Sequence, residues 1–513
     1  MSMSRRSLSR AVVVLGVGGL LLCVPGVAQA TGGDRHCVAG APGVGDAYYP
    51  TYGNGGYDVR RYGLDVAYDP ATDVLDGRAT ISAKATQRLC SFNLDLVGLV
   101  VRTVKVDGRR AAWSRSGQEL TVTPRRPLQL GKQFQVFLRY DGVPVEFLLP
   151  GTDIRTGFMT VSDGATVVGQ PEVAAAWFPV NDHPIDKAAY TFEVTVPRPY
   201  EVVANGFLTD LDSGVDSRTW TWNAREPMAS YLATIDIGLW DFHQWRTESG
   251  IPVLDAVDSA ITGGLRAEID SSLNRQGEVL DLLEEAFGPY PFSTVGGIVE
   301  GQDDLLFALE TQTRPVYSKL FWLDENGNPV NGDPVVVHEL AHQWFGDDVA
   351  LARWQDIWLN EGFATYAEWL WEDYEGRGTP QEIAQASYDD IPASDPFWAV
   401  EIGDPGVDHL FDFAVYLRGA MTLQALRNEV GDTAFWKIIR TWAAQRSGGH
   451  GTTPQFIALA EQISRMQLDD LFTTWLFTAS KPATAPFAAS RRAHAAAAAW
   501  RADAKRRMSL LHR

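Results

Sequence analysis

Val335-Val336-Val337-His338-Glu339-Leu340-Ala341-His342 is the stretch on which the fold of this 513-residue chain turns. Asp333 and Pro334 suit a helix start and Gly346 a helix exit, so the run predicts a short, buried, rigid helix. His338 and His342 then lie one above the other on the same face. Two imidazoles so placed can bind one zinc ion together. The competing reading is a core helix with two incidental histidines. Against it stands Glu361, in Trp358-Leu359-Asn360-Glu361-Gly362, 18 residues intervening after His342. Asn360 suits the cap of a second helix through Ala364, Ala367 and Leu370, which would place Glu361 in its first turn. The loop over residues 346–355 lets the two helices fold back, and Glu361 then meets the histidine pair as third ligand.

Three protein ligands leave the fourth zinc position to water, whose pKa zinc lowers to about 7. Glu339 follows the first ligand directly, near the metal but poorly aimed to ligate it. A carboxylate there can take the water's proton and hand it to a leaving amine, which is amide hydrolysis. Glu368, seven residues past Glu361 on the same face, is a candidate hydrogen-bond partner for a ligand histidine, or else a solvated helix glutamate.

At these residues the chain resembles the gluzincin aminopeptidases, the group of aminopeptidase N and the leukotriene hydrolase. His342-Gln343-Trp344-Phe345-Gly346 and Trp358-Leu359-Asn360-Glu361-Gly362-Phe363-Ala364 carry the likeness, which runs from about residue 48 to about residue 482. It implies an α+β chain: an N-terminal antiparallel β domain, then a thermolysin-like, mainly helical catalytic domain holding one zinc ion. The implied substrates are peptides with a free α-amine, hydrolysed at the first bond. Three further positions carry over. Glu310, in Phe307-Ala308-Leu309-Glu310-Thr311, matches the glutamate that holds the amine, although the family's glycine, methionine and asparagine are replaced. Gln170-Pro171-Glu172 matches a second amine-binding word, more weakly. Two carboxylates facing one ammonium favour a free N-terminus, since a blocked peptide leaves buried charge unpaired. Tyr416, in Val415-Tyr416-Leu417-Arg418-Gly419, matches the oxyanion-stabilising tyrosine, with arginine in place of the usual lysine. Larger relatives add a helical domain after the catalytic one. Here only about 70 residues separate Tyr416 from the tail, so a more open site is expected.

Working outward, residues 48–245 have strand texture. Phe134, Val136, Leu138 and Tyr140 alternate with Gln133, Gln135 and Arg139, and Tyr190, Phe192, Val194 and Val196 alternate with polar neighbours, which predicts half-buried antiparallel strands. Near residue 260 the period changes. Leu265, Ile269 and Leu273, then Leu280, Leu283 and Phe287, follow helical spacing up to Gly288-Pro289. A β domain over 46–245 and a catalytic domain over 246–485 follow, with a loose Gly-rich segment at 31–45. From Pro486 to Arg513 the chain is Ala-rich, with seven basic residues against Asp503, which suggests a solvated, partly helical tail or one resting on an anionic surface.

Sixty-four acids against 44 bases give a formal charge of −20, which argues against a nucleic-acid partner. Arg5, Arg6 and Arg10 precede an apolar run over 11–24, and Ala28-Gln29-Ala30 offers a cleavage site, so residues 1–30 read as a secretory signal and the mature protein as secreted or cell-surface associated. The run is short of the roughly 18 residues that span a bilayer, and no later stretch is long and apolar enough. Cys37 and Cys90 then remain, an even count that suggests one disulfide, with two buried thiols as the alternative. The rival functions are a zinc endopeptidase without the amine clamp and a non-catalytic peptide-binding module. The second should have lost a ligand or the base, and none is missing.

Overall fold

Alternating apolar and polar residues build the first half of the molecule. In the strand Gln133–Gly142, Phe134, Val136, Leu138 and Tyr140 are buried while Gln133, Gln135 and Arg139 face out. The computed structural model describes residues 36–483, 485 and 493–510; the predicted signal segment, residues 1–30, lies outside them. Residues Cys37–Arg513 form one compact unit. Its largest sheet has eight strands, in the order Phe207–Ser213, Ser217–Met228, Ala188–Pro197, Tyr57–Asp69, Val74–Ala85, Gln133–Gly142, Val100–Val106, Arg109–Arg110. Within this sheet, one pairing departs from the antiparallel expectation. Ala188–Pro197 runs antiparallel to Ser217–Met228 but parallel to Tyr57–Asp69, a long-range choice that local alternation does not encode. A five-stranded sheet (Glu146–Leu148, Arg155–Val161, Gly164–Val168, Ile235–Gly238, Glu201–Ala204) and a four-stranded one complete this half.

The Gly-rich segment expected to be loose is held from Cys37 onward. Cys37 is disulfide-bonded to Cys90. Val38–Ala39 adds a parallel strand to Leu89–Asp95, and the Gly40 amide donates to the Ser91 carbonyl at 2.9 Å. Asp46 then receives the Trp354 amide at 2.8 Å, which ties this segment to the loop leading into the catalytic helices. Glycine content signals conformational freedom, but a covalent link and ladder bonds remove it here.

The second half opens with a mixed sheet in the order Trp240–Arg246, Pro252–Asp258, Ile298–Glu300, Val316–Ser318, Ala308–Leu309. Its first strand begins two residues after Ile235–Gly238 ends, so the sheets part ahead of the 245/246 boundary read from texture. Strand-like residues continue into the catalytic half before its first helix. Among the described residues ten α-helices follow: α1 Gly263–Leu273, α2 Gln276–Phe287, α3 Asp333–His342, α4 Trp358–Tyr374, α5 Pro380–Asp390, α6 Phe413–Val430, α7 Asp432–Arg446, α8 Thr453–Ser464, α9 Asp469–Leu476 and α10 Ala493–Ser509. None of the described helices is long and apolar enough to cross a membrane.

Helix α4 starts earlier than its sequence suggests. A 3₁₀ turn at Trp354–Asp356 runs directly into Trp358, so Asn360 lies inside the helix instead of capping it, while Glu361 keeps its place in the first turn. Helices α4 and α6 approach closely at two glycines. A Cβ on Gly419 would stand 2.7 Å from the Gly362 Cα, so only glycines permit this crossing.

The basic tail is not a solvated appendage. Within α10, Trp500, Ala504 and Leu510 just beyond it are buried. Arg501 pairs with Asp390, and Arg506 donates to the Leu323 carbonyl at 2.6 Å. A helix of opposite charge to an acidic body finds acids to pair with, and its apolar residues supply the packing that composition alone does not reveal.

Candidate metal centre

Helix α3 is buried along almost its whole length, which fixes the rotamers that aim His338 and His342 at one point. Helix α4 lies across it and brings Glu361 to the same place. Glu361 Oε2 stands 3.3 Å from His338 Nε2 and 3.3 Å from His342 Nε2. The opposite ring nitrogens are already used: His338 Nδ1 meets Glu368 Oε1 at 2.7 Å and His342 Nδ1 donates to the Phe345 carbonyl at 3.0 Å. With those nitrogens as donors, both Nε2 atoms present lone pairs to a carboxylate that also has only lone pairs to offer. Three such groups aimed at one another require positive charge between them, supplied by a metal cation or by protons on the rings. Ligands at about 2.0–2.1 Å in a tetrahedron stand roughly 3.3–3.4 Å apart, the spacing found here. The donor set therefore fits a zinc ion, with Glu368 orienting His338 from behind.

Electrostatics agree with that reading. Burial raises the Glu361 carboxyl, but the facing imidazoles outweigh it and hold the group at about 2. Burial lowers His338, yet Glu361 and Glu368 push it up to about 9. Burial likewise opposes ionisation of Glu368, and Arg507 with His338 brings it to about 2. Glu339 is different. Burial carries it up to about 8 despite both histidines.

Around this centre lies a cavity whose walls include Gln170, Glu310, Glu339, Phe411, Tyr416 and Trp500. Carboxylate oxygens of Glu310 and Glu339 and a ring nitrogen of His342 lie within 4.8 Å of one another. Glu310 follows the edge strand Ala308–Leu309 and accepts the Tyr231 hydroxyl at 2.9 Å. The Tyr416 ring, on α6, stacks 5.9 Å from the His338 ring, and burial followed by the nearby Glu361, Glu310 and Glu339 keeps its phenol protonated. Thus His338, His342, Glu361, Glu368, Glu339, Glu310, Tyr416 and Gln170 are brought together. Glu172 is not on the cavity wall. Burial first, then Asp182, Asp46 and Asp95, raise its carboxyl to about 9, and one of its oxygens has no partner.

Sequence reasoning missed several contributors. Tyr231 carries no motif, and Phe345 lies in a quoted word whose residues say nothing of the role of its carbonyl. Arg418 is a tie rather than a site residue, donating to the carbonyls of Val400, Thr474 and Thr478. Trp500 and Arg507 reach the centre from a tail whose reversed charge was the one available signal.

Two family profiles match the chain: the Peptidase M1 N-terminal domain over residues 58–232 and the Peptidase family M1 domain over residues 272–475. The chain belongs to peptidase family M1. Among M1 relatives, it is 25% identical to "Probable aminopeptidase 2" of Sulfurisphaera tokodaii over 405 residues, 75% of this chain and 49% of that protein. It is 28% identical to "Aminopeptidase M1" of Arabidopsis thaliana over 324 residues, 60% of this chain and 36% of that protein. The chain thus spans half or less of the curated relatives it matches. Against the solved M1 zinc metallopeptidase from Deinococcus radiodurans, the TM-score is 0.79 at 29% identity, covering 87% of this chain and 99% of that one. A mutant of that enzyme bound to a Tyr-Ser-Ala substrate matches with a TM-score of 0.76 at 29% identity, covering 86% and 99%. The cofactor of this M1 site is one zinc ion, and His338, His342 and Glu361 are the residues that would hold it.

Proposed function

We propose that this chain is a zinc aminopeptidase that removes the first residue of peptides bearing a free α-amine. The observation that carries the reading is the Glu310 carboxyl, buried beside the metal ligands and braced by Tyr231. A carboxylate fixed there can pair with a substrate ammonium and so places the first peptide carbonyl, and no later one, over the centre. Gln170 lines the same cavity and adds a polar contact from the β half. When bound, zinc polarises the carbonyl and activates the attacking water. Glu339 takes a proton from that water as its oxygen bonds to the carbonyl carbon, then delivers it to the amine nitrogen as the C–N bond breaks. The Tyr416 phenol donates a hydrogen bond to the oxygen that gains negative charge. Export of the mature protein is part of the proposal, supported by the cationic and apolar leader and by the Cys37–Cys90 disulfide.

The test compares a peptide with its N-acetylated form, in wild type and Glu310→Gln. Wild type is expected to hydrolyse only the free peptide, and the substitution to lower kcat/KM for it by roughly 100-fold, the cost of leaving a buried charge unpaired. Equal cleavage of both peptides points to an endopeptidase and overturns the proposal.

A further inference from the structure

Helix α10 lies beyond the matched residues 272–475, yet it forms a wall of the cavity through Trp500, Ala504 and Arg507. Its grip is on Glu368. The Trp500 indole N–H donates to Glu368 Oε2 at 3.1 Å, and Arg507 donates to both carboxylate oxygens, reaching Oε1 at 3.2 Å. Glu368 Oε1 in turn holds His338 Nδ1 at 2.7 Å. Arg507 is itself steadied by Asp503 Oδ2 at 2.9 Å, one turn back on α10. The contacts therefore run from tail to carboxylate to imidazole to metal position, through groups that are buried or, at Arg507, largely so. Trp500 also packs edge-on against Trp369 of α4, with ring centroids 5.6 Å apart, and Arg506 grips the Phe321 and Leu323 carbonyls.

The side of the cavity matters as much. Glu310 adjoins His342, whereas α10 stands behind His338. A peptide whose amine is held at Glu310 crosses the metal position and leaves toward His338. The residue after the scissile bond then meets Trp500 and Ala504, together with Phe321 and Val335 of the same cavity. This wall is apolar: among the described residues lining it, the cation Arg507 is committed to Glu368 and Asp503.

We propose that α10 is a working wall of the active site, with Trp500 and Arg507 as positioning residues for His338 through Glu368, and with Trp500 and Ala504 selecting an apolar residue on the leaving side of the scissile bond. The selectivity half rests on the aminopeptidase reading above; the positioning half does not.

The test uses the full chain and two readouts. The first is zinc affinity, measured by chelator competition. Arg507→Met and Trp500→Phe are expected to weaken zinc binding by about 10-fold or more, the usual cost of removing support from behind a ligand, and Arg507→Lys to recover part of it. Wild-type zinc affinity in both Arg507→Met and Trp500→Phe overturns the positioning role. The second is KM for two tripeptides that differ only at the second residue, leucine or glycine. Ala504→Trp fills the proposed subsite and is expected to raise the ratio of KM for the leucine peptide to KM for the glycine peptide by about 10-fold; Ala504→Leu, a milder change, should raise it about threefold. An unchanged ratio in the folded Ala504→Leu variant overturns the selectivity role. Failure of wild type to act on either tripeptide would instead sink the aminopeptidase reading and leave the zinc result standing.

Discussion

The crossing of α4 and α6 at Gly362 and Gly419 makes Gly419→Ala an informative substitution. The added Cβ would meet the Gly362 Cα at 2.7 Å, whereas carbon atoms in contact normally stand about 3.5–4.0 Å apart, so the helices must separate by roughly 1 Å. Overpacking of that size costs about 1–3 kcal/mol, and replacing a helical glycine by alanine returns about 1 kcal/mol, so the net loss of stability is roughly 0–2 kcal/mol. The effect on the site is larger. Glu361 is the neighbour of Gly362, and Tyr416 lies one turn before Gly419, so the separation moves the carboxylate and the phenol relative to each other. Misplacement of about 1 Å costs on the order of 100-fold in rate. The expected signature is thus a fall in kcat/KM of about 100-fold with weakened zinc retention, alongside a urea midpoint only slightly reduced. Gly264→Ala on α1 is the control. Its nearest atom, Pro329 Cγ, is at 3.5 Å, so it should gain up to about 1 kcal/mol with activity intact. Normal kcat/KM and normal zinc retention in Gly419→Ala would show that the helices yield without disturbing the site, and the close-approach reasoning would fail.

Glu339→Gln is expected to keep the metal and lose at least about 100-fold in kcat, and turnover near wild type would remove Glu339 from the proton-transfer role. Cys37→Ser with Cys90→Ser opens a link between residues 53 apart and should cost up to about 4 kcal/mol in urea unfolding, while the folded fraction keeps its specific activity; unchanged stability would show that the strand pairing alone holds the segment. Asp46 supplies a pH-dependent anchor. Burial raises its carboxyl, but the hydrogen bonds from His183, Trp354 and Tyr48 outweigh burial and lower it. A lowered carboxyl stabilises the fold above its unfolded value of about 3.9 and loses that contribution as pH falls through its folded value. Asp46→Asn should therefore be about 2 kcal/mol less stable than wild type at pH 7, with the gap closing below about pH 4. A gap independent of pH would contradict the assignment.

The metal site was legible because its chemistry is local. Two histidines four residues apart share a helix face whatever the rest of the chain does, and Glu361 sits in a quoted word with its own helix signals. Strand alternation was equally plain, as at Phe134 and Tyr140, since a period of two records which side faces the core. The parallel pairing of Ala188–Pro197 with Tyr57–Asp69 was not legible, because alternation says nothing about a strand's neighbour. Gln170-Pro171-Glu172 shows the limit of a short motif: its glutamine faces the cavity while its glutamate, two residues away, settles among Asp46, Asp95 and Asp182.

By itself, then, the sequence determined which atoms could bind a cation, since ligand type and helical spacing are properties of one short stretch, His338 to Glu361. Tertiary structure alone decided that a basic, alanine-rich segment lines the cavity at the metal centre. The partner of Arg507 is Glu368, 139 residues away, and an ion pair across such a distance forms only when packing has already brought two surfaces of opposite charge together.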